Sequence, residues 1–413
     1  MNRLNPAAAA RRAGGSLAFG LLAFALLASV AQAAGRLTLN FNPDWRFLKD
    51  DPAGAQAPGF DDRDWALVTA PHTYNDVDTF DNWSTPGHRG EQIQWGGRTW
   101  YRKTFTAPAA WAGKKVFIEF EAVRQIAEVY LNGMKLGVAK TGFTPFGFDL
   151  TPHLKIGAPN VLAVMVDNRF MKDPLDAGTI AELAKRNGSP VTKLSSTENP
   201  NLGQLSRRVN ESIPENLDDL QADQIPWNNP HWHPAHGGIY RNVRLYVTDP
   251  LHISLPLYSF LQTAGPYAYA TSITDASAQI GVEVPVQNGR ATAENVTVRV
   301  DLIDAAGQVA LALNQTQPVA AGASATVKVS GALAHPRLWE PAYPYLYRVV
   351  CSLLVGGVAI DTSEVPLGIR TVRWDAASGF SINGRHFKLH AWGQKPTDAW
   401  PGLGAAQPDW MHF

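Results

Sequence analysis

On either side of one long polar interruption, the chain is broken into short apolar or alternating runs. Each run is closed within a few residues by Gly, Pro, Asn or Asp. That rhythm leaves little room for helices and points to sheets joined by tight turns. Lys115 to Phe120 and Ala127 to Leu131 read as strands, and Val161 to Val166 is so continuously apolar that both its faces should be covered. Asn132-Gly133, between two such runs, is the strongest short-range hairpin signal a sequence carries. Further along, Gln279 to Val286, Val296 to Ile303, Thr326 to Val329 and Tyr345 to Val355 repeat the pattern. Ala305-Ala306-Gly307-Gln308 and Gly356-Gly357 supply turns between them. The fold class expected is mainly β, built of sandwiches of the jelly-roll or immunoglobulin type.

The interruption, residues 171–226, is rich in Asn, Ser, Pro and Asp and holds one short helical candidate, Thr179 to Arg186. Strand character returns at Ile239 to Val247, so the segment reads as an insertion in a first domain, a jelly roll spanning 34–250. Roughly seven strands in 251–368 predict a second, immunoglobulin-like sandwich, although no cysteine pair marks it. The lone cysteine, Cys351, lies in an apolar strand and reads as core packing rather than a reactive thiol.

A formal net charge of zero provides no footprint for nucleic acid or anionic lipid. The N-terminus carries Arg3, Arg11 and Arg12, then an apolar run from Leu17 to Val30, then Ala31-Gln32-Ala33. A charged start, a short apolar core and a small-x-small site define an export signal over 1–33. The rival reading, a membrane anchor, needs a longer span of about 20 residues. A periplasmic or secreted protein is expected, with no membrane attachment after cleavage.

The densest chemistry is Trp227-Asn228-Asn229-Pro230-His231-Trp232-His233-Pro234-Ala235-His236. Three readings stay open for Trp227, His231, His233 and His236. One is a metal site, which Pro234 disfavours by breaking any helix that would present the imidazoles together. The second is contact with a substrate cleft, since His and Trp pair hydrogen bonding with a flat apolar face. The third is aromatic packing between domains. No metal or cofactor is assigned. Asn210-Glu211 reads as a solvated loop, and Asp61-Asp62 and Asp218-Asp219 as turn residues. Phosphate-cradling loops, nucleophile elbows and His-Glu-x-x-His are absent.

Several segments together resemble glycoside hydrolase family 2, which contains β-galactosidases, β-glucuronidases and β-mannosidases. They are Phe60 to Trp65, Pro71-His72-Thr73, Thr99 to Phe105, Val129 to Gly133, Gly237-Gly238-Ile239-Tyr240-Arg241, Leu338-Trp339-Glu340-Pro341 and Gly368-Ile369-Arg370. Gly379 to Trp392 resembles the strand that opens that family's catalytic (β/α)8 barrel. By this resemblance, 369–413 begins a barrel whose full length is about 250 residues. The implied activity is retaining exo-β-glycosidase chemistry, β-galactosidase-like, on a carbohydrate with a terminal β-linked sugar. The implied catalysts are two carboxyl groups about 5–5.5 Å apart on later barrel strands. No catalytic residue is therefore assigned here, and the chain by itself is expected to be inactive. The resemblance also places the loop before Gly238 over the barrel mouth, where Asp223 would meet a sugar hydroxyl. Ala391-Trp392-Gly393-Gln394-Lys395 departs from the β-galactosidase pattern, so Trp392, Lys395 and Trp400 are expected to shape a different pocket, with Lys395 suited to an acidic or modified sugar. No cofactor is implied, although some relatives hold Mg²⁺ or Na⁺ in the barrel. The alternatives are a non-catalytic carbohydrate-binding protein or a gene fragment without an independent role. Oligomeric state is left open.

Overall fold

The computed structural model describes residues 35–74, 97–168 and 237–391. The export signal, the interruption at 171–226 and everything from Trp392 onward lie outside the described residues.

The first sandwich is made of β1 (Leu37–Asn40), β2 (Trp45–Leu48), β3 (Ala66–Val68), β4 (Arg98–Thr106), β5 (Lys115–Phe120), β6 (Ile126–Leu131), β7 (Met134–Ala139), β8 (Phe146–Asp149), β9 (Pro159–Asp167) and β10 (Val243–Thr248). Its two antiparallel sheets run β1-β10-β5-β8 and β3-β2-β4-β9-β6-β7. Alternation decides which side chains meet between them: Val243, Leu245 and Val247 of β10 and Val116, Ile118 and Phe120 of β5 are buried. They face Val129, Leu131, Leu162, Val164 and Val166 across a core centred on Trp45 and Tyr101. β9 is buried on both faces because Ala163 and Met165 pack outward against Ala55, Trp65 and Trp100. The β6–β7 turn has Asn132 at φ +53° and Gly133 at φ +83°, the left-handed pair a two-residue hairpin demands. The Asn132 amide then ties the turn to β9, accepting from the Val161 N–H at 3.0 Å and donating to Asn160 Oδ1 at 2.9 Å.

The second sandwich contains β11 (Leu251–Ile253), β12 (Tyr267–Thr271), β13 (Ser277–Asn288), β14 (Glu294–Ile303), β15 (Val309–Val319), β16 (Ser324–Ala334), β17 (Tyr347–Val355) and β18 (Val358–Leu367). β13 pairs with β11, β12 and β16, and the facing sheet runs β15-β14-β17-β18. Its core is aliphatic: Val282, Val284, Val298, Val300, Val327, Val349, Leu353 and their neighbours. Each such side chain contributes about 1.5–3 kcal/mol on full burial. Cys351 is part of this core, and burial pushes its thiol up to about 12.

The two sandwiches are joined by more than their short connection. The Arg36 guanidinium donates to Asp361 Oδ2 at 2.8 Å, and the same oxygen accepts from the Ile253 N–H at 2.7 Å. Phe117 of β5 packs on Leu255 and Leu257, which follow β11. Beyond β18, a small antiparallel sheet forms from β19 (Val372–Asp375), β20 (Gly379–Ile382) and β21 (Arg385–His386). The residues read as opening a barrel thus fold back on themselves. Asn383 and Gly384, at φ +49° and +73°, turn β20 into β21. Among the described residues there is no barrel.

Candidate functional site

Of the residues singled out for the site, Asp223, Trp227, His231, His233, His236, Trp392 and Lys395 all lie outside the described residues. What the structure does describe is the place from which the loop bearing five of them springs. Four chain ends meet there. The Tyr74 N–H donates to the Gly237 carbonyl at 3.1 Å, and the His72 N–H to the Ile239 carbonyl at 2.8 Å. Gly97 and Asn168 exchange two bonds, from the Gly97 N–H to Asn168 Oδ1 and from the Asn168 N–H to the Gly97 carbonyl, both at 3.0 Å. The described residues that flank 75–96 and 169–236 therefore meet at one spot.

Gly237 and Gly238 are explained by this crowding. A Cβ on Gly237 would stand 1.9 Å from the Tyr74 hydroxyl and 2.8 Å from Asn168 Cγ. One on Gly238, at φ +139°, would stand 2.3 Å from the His72 carbonyl oxygen. Only glycine lets this segment slip between its neighbours. On its other side Gly238 exchanges N–H···O bonds with Arg124 at 2.8 and 2.9 Å. His72 Nδ1 meets the Tyr101 hydroxyl at 2.7 Å, so the segments quoted from His72, Tyr101 and Gly238 form one cluster.

Beneath these roots lies a polar floor. Arg124 is fully buried, with its guanidinium 5.0 Å from the Phe143 ring. Burial lowers its pKa to about 10, while the Tyr240 and Tyr74 hydroxyls oppose that fall, so the cation persists at neutral pH. Burial also raises the phenols of Tyr74 and Tyr240, which stay neutral donors. Tyr240 donates to the Gly142 carbonyl at 2.7 Å. The neighbouring Gln125 amide is buried with neither end hydrogen-bonded among the described residues, an uncommon state for a buried polar group. A fixed cation beside an uncommitted amide can orient a polar or anionic group. Sequence reasoning missed Arg124 and Gln125; Ala122-Val123-Arg124-Gln125 carries no signal beyond a lone charge between strands.

Asp61, Asp62, Glu119 and Glu121 serve structure. Asp61 is bonded by the Arg63 side chain and then its backbone N–H, which hold it down at about 2. Asp62 accepts from Arg102 Nε at 2.8 Å, and Arg102 also caps the carbonyls of Ala55, Ala57 and Phe60. Glu119 and Glu121 share Arg244 on the outer face of β5. Among the described residues no three His, Cys, Asp or Glu side chains gather as a metal site would require.

The family model "Glycosyl hydrolase 2 galactose-binding domain-like" matches residues 85–189, and "Glycosyl hydrolases family 2" matches 266–370. The chain belongs to glycosyl hydrolase family 2. It is 45% identical to a β-glucuronidase of Formosa agariphila over 92% of its own length and 34% of the relative's. It is 32% identical to a β-galactosidase of Bacteroides ovatus, over 85% of this chain and 34% of that one. A solved β-glucuronidase of family 2 superposes with TM-score 0.75 at 43% identity, covering 92% of this chain and 35% of the other. The chain spans about a third of the length of these relatives. The jelly roll and second sandwich are this family's accessory β-domains. The β-galactosidase-like expectation resolves to the family, with the higher identity of the two relatives on the β-glucuronidase side.

Proposed function

We propose that this chain is the N-terminal portion of an exported, retaining β-glycosidase that acts on β-glucuronides, and that it has no turnover by itself. The observation that carries the reading is 45% identity to a β-glucuronidase over nearly the whole chain, against about a third of that relative's length. The carboxyl pair of a retaining glycosidase, about 5–5.5 Å apart, belongs in the barrel. In this reading the jelly roll holds a loop bearing Asp223, Trp227, His231, His233 and His236 toward that barrel, and the four-ended root at Tyr74, Gly97, Asn168 and Gly237 fixes where the loop emerges. Export is supported by the charged, apolar and small-residue sequence of 1–33.

Chromogenic β-glucuronides and β-galactosides test the proposal. The chain alone should hydrolyse neither, and a fusion to the remaining two-thirds of the Formosa relative should prefer the glucuronide. Enzyme-level rates from the chain alone, or galactoside preference in the fusion, would reject it. N-terminal sequencing of the mature protein from the periplasm or medium should start after Ala33; recovery of the uncleaved chain in the cytosol would reject export.

A further inference from the structure

Asp361 is a fully buried carboxylate in β18, beside a core made of aliphatic side chains. The strand register shows how it comes to point inward. Leu353 opposes Asp361 and Leu354 opposes Ala359, which leaves Ile360 as an extra residue. Such a bulge re-aims the side chain next to it. The carboxylate accepts from the Ile253 N–H at 2.7 Å and from the Thr362 N–H at 2.9 Å. Two neutral donors do not cancel a buried charge. The counter-charge is Arg36, 325 positions away in the chain, with its side chain only 9% exposed. Its Nη2 donates to Asp361 Oδ2 at 2.8 Å and to the Ile253 carbonyl. Ile253 is thus gripped at both its N–H and its carbonyl.

Arg36 leads directly into β1, a weakly rooted strand of the jelly roll. β1 is four residues long, lies at the edge of its sheet and pairs with β10 alone. Its residues are exposed except for Leu39, which is half-buried against the core. A terminal segment stays in place only when it is tied down, and here the ties are at the two ends. At one end Asn42 accepts from the Val243 N–H at 2.7 Å and donates to Asn242 Oδ1 at 2.9 Å. At the other end is the Arg36 clasp, and it is only half made. Nη2 makes both bonds, while the buried Nε has no partner among the described residues. A buried ion pair with an unmet donor stands close to balance with the water it gave up. It can hold, and it can let go. A second charged link across the junction, Lys114 to Asp249 at 3.4 Å and Arg290 to Asp249 at 2.9 Å, is open to water and therefore weak.

We infer that residues 35–40 form a detachable strap, whose Arg36–Asp361 clasp couples the two sandwiches into one cooperative unit. Release of the strap leaves Asp361 buried without its counter-charge and bares the edge of β10. The sandwiches then open and unfold separately, the default for domains without a large shared interface. This device goes beyond the glycosidase reading and does not rest on it. Cleavage after Ala33, as proposed above, makes Arg36 the third residue of the mature chain, so loss of three residues from that end removes the clasp.

Calorimetry and amide exchange on the full chain test this. The unaltered chain should unfold in one transition, with the Ile253 and Thr362 amides protected. Arg36→Met, which keeps the stem and removes the charge, should split the melt in two. It should also speed exchange at both amides about tenfold or more, with Val298 and Val300 in the second core unchanged. Lys114→Gln, at the water-exposed link, should leave one transition and unchanged exchange. Should the Arg36 variant fail to fold, a chain beginning at Leu37, with both cores complete, provides the same readouts. Four results would overturn the inference: two transitions in the unaltered chain, unchanged exchange in the folded Arg36 variant, an equal effect from Lys114→Gln, or a chain from Leu37 that cannot fold, which would make the strap part of the fold rather than detachable.

Discussion

The two sandwiches solve the same packing problem with different side chains. Among the described residues the largest fully buried groups, Trp45, Arg102, Arg124, Tyr101, Phe120 and Phe146, all belong to the first. The second is filled with Val, Leu and Ile, and its strands β13, β14, β16 and β17 alternate buried and outward positions. Buried guanidiniums cost desolvation, which they recover by capping carbonyls: Arg102 meets four partners in the loop that covers β9. The jelly roll therefore spends buried charge on pinning irregular segments; the second sandwich does less of this, through Asp361, which holds Arg36, and Asn288, which caps the Thr292, Val319 and Ala320 carbonyls. The segments proposed to reach substrate leave from the domain with the charged core.

The largest effect that would break this comparison is at Arg102. Arg102→Met leaves the Ala55, Ala57 and Phe60 carbonyls without their donor and Asp62 without its partner. Loss of one member of a buried pair costs about 3–5 kcal/mol. Denaturant titration should show that loss, together with release of the covering loop to proteolysis near Trp65. A change under ~1 kcal/mol would mean the guanidinium is not what holds the loop. Leu353→Ala, in the aliphatic core, should cost about 2–4 kcal/mol through its cavity. It should do so without exposing the 55–65 loop to protease, since no polar network there depends on it.

The same contrast governs what could be read from residues alone. In β14, Val296, Val298, Val300 and Leu302 are buried and Thr297, Arg299 and Asp301 turn outward, so the period of two was legible. The run at Val161 to Val166 announced a strand covered on both faces, but not that Trp65 and Trp100 supply the cover. Strand ends were harder. Thr326 to Val329 is only the middle of an eleven-residue strand, because Ser330-Gly331 looks like a turn. Gly331 is instead a packing glycine: a Cβ there would stand 2.5 Å from Leu313 Cδ2. Of the site, the Gly237-Gly238 pair was visible as a family segment, while its reason, the approach of Tyr74 and His72, exists only in three dimensions. Arg124 and Gln125 gave no pattern because a buried charge is defined by what surrounds it.

The junction between the two domains offers the smallest and sharpest test. His252 sits at 2% exposure with Asp361 and Arg36 nearby and Phe117 against its ring. Burial lowers its pKa below the usual imidazole value, and the Asp361 carboxylate opposes this only in part. In the unfolded chain a histidine titrates near 6.5. Below about that pH the unfolded state takes up the proton first, so the stability that neutral His252 contributes is present above 6.5 and lost as pH falls toward its folded value. One proton changes stability by at most about 1.4 kcal/mol per pH unit. His252→Phe should flatten the slope of stability between pH 6.5 and 5 while leaving stability at pH 8 nearly unchanged. A slope identical in the variant would assign the acid sensitivity to another group. It would also indicate that the link between the charged-core and aliphatic-core sandwiches does not depend on this ring.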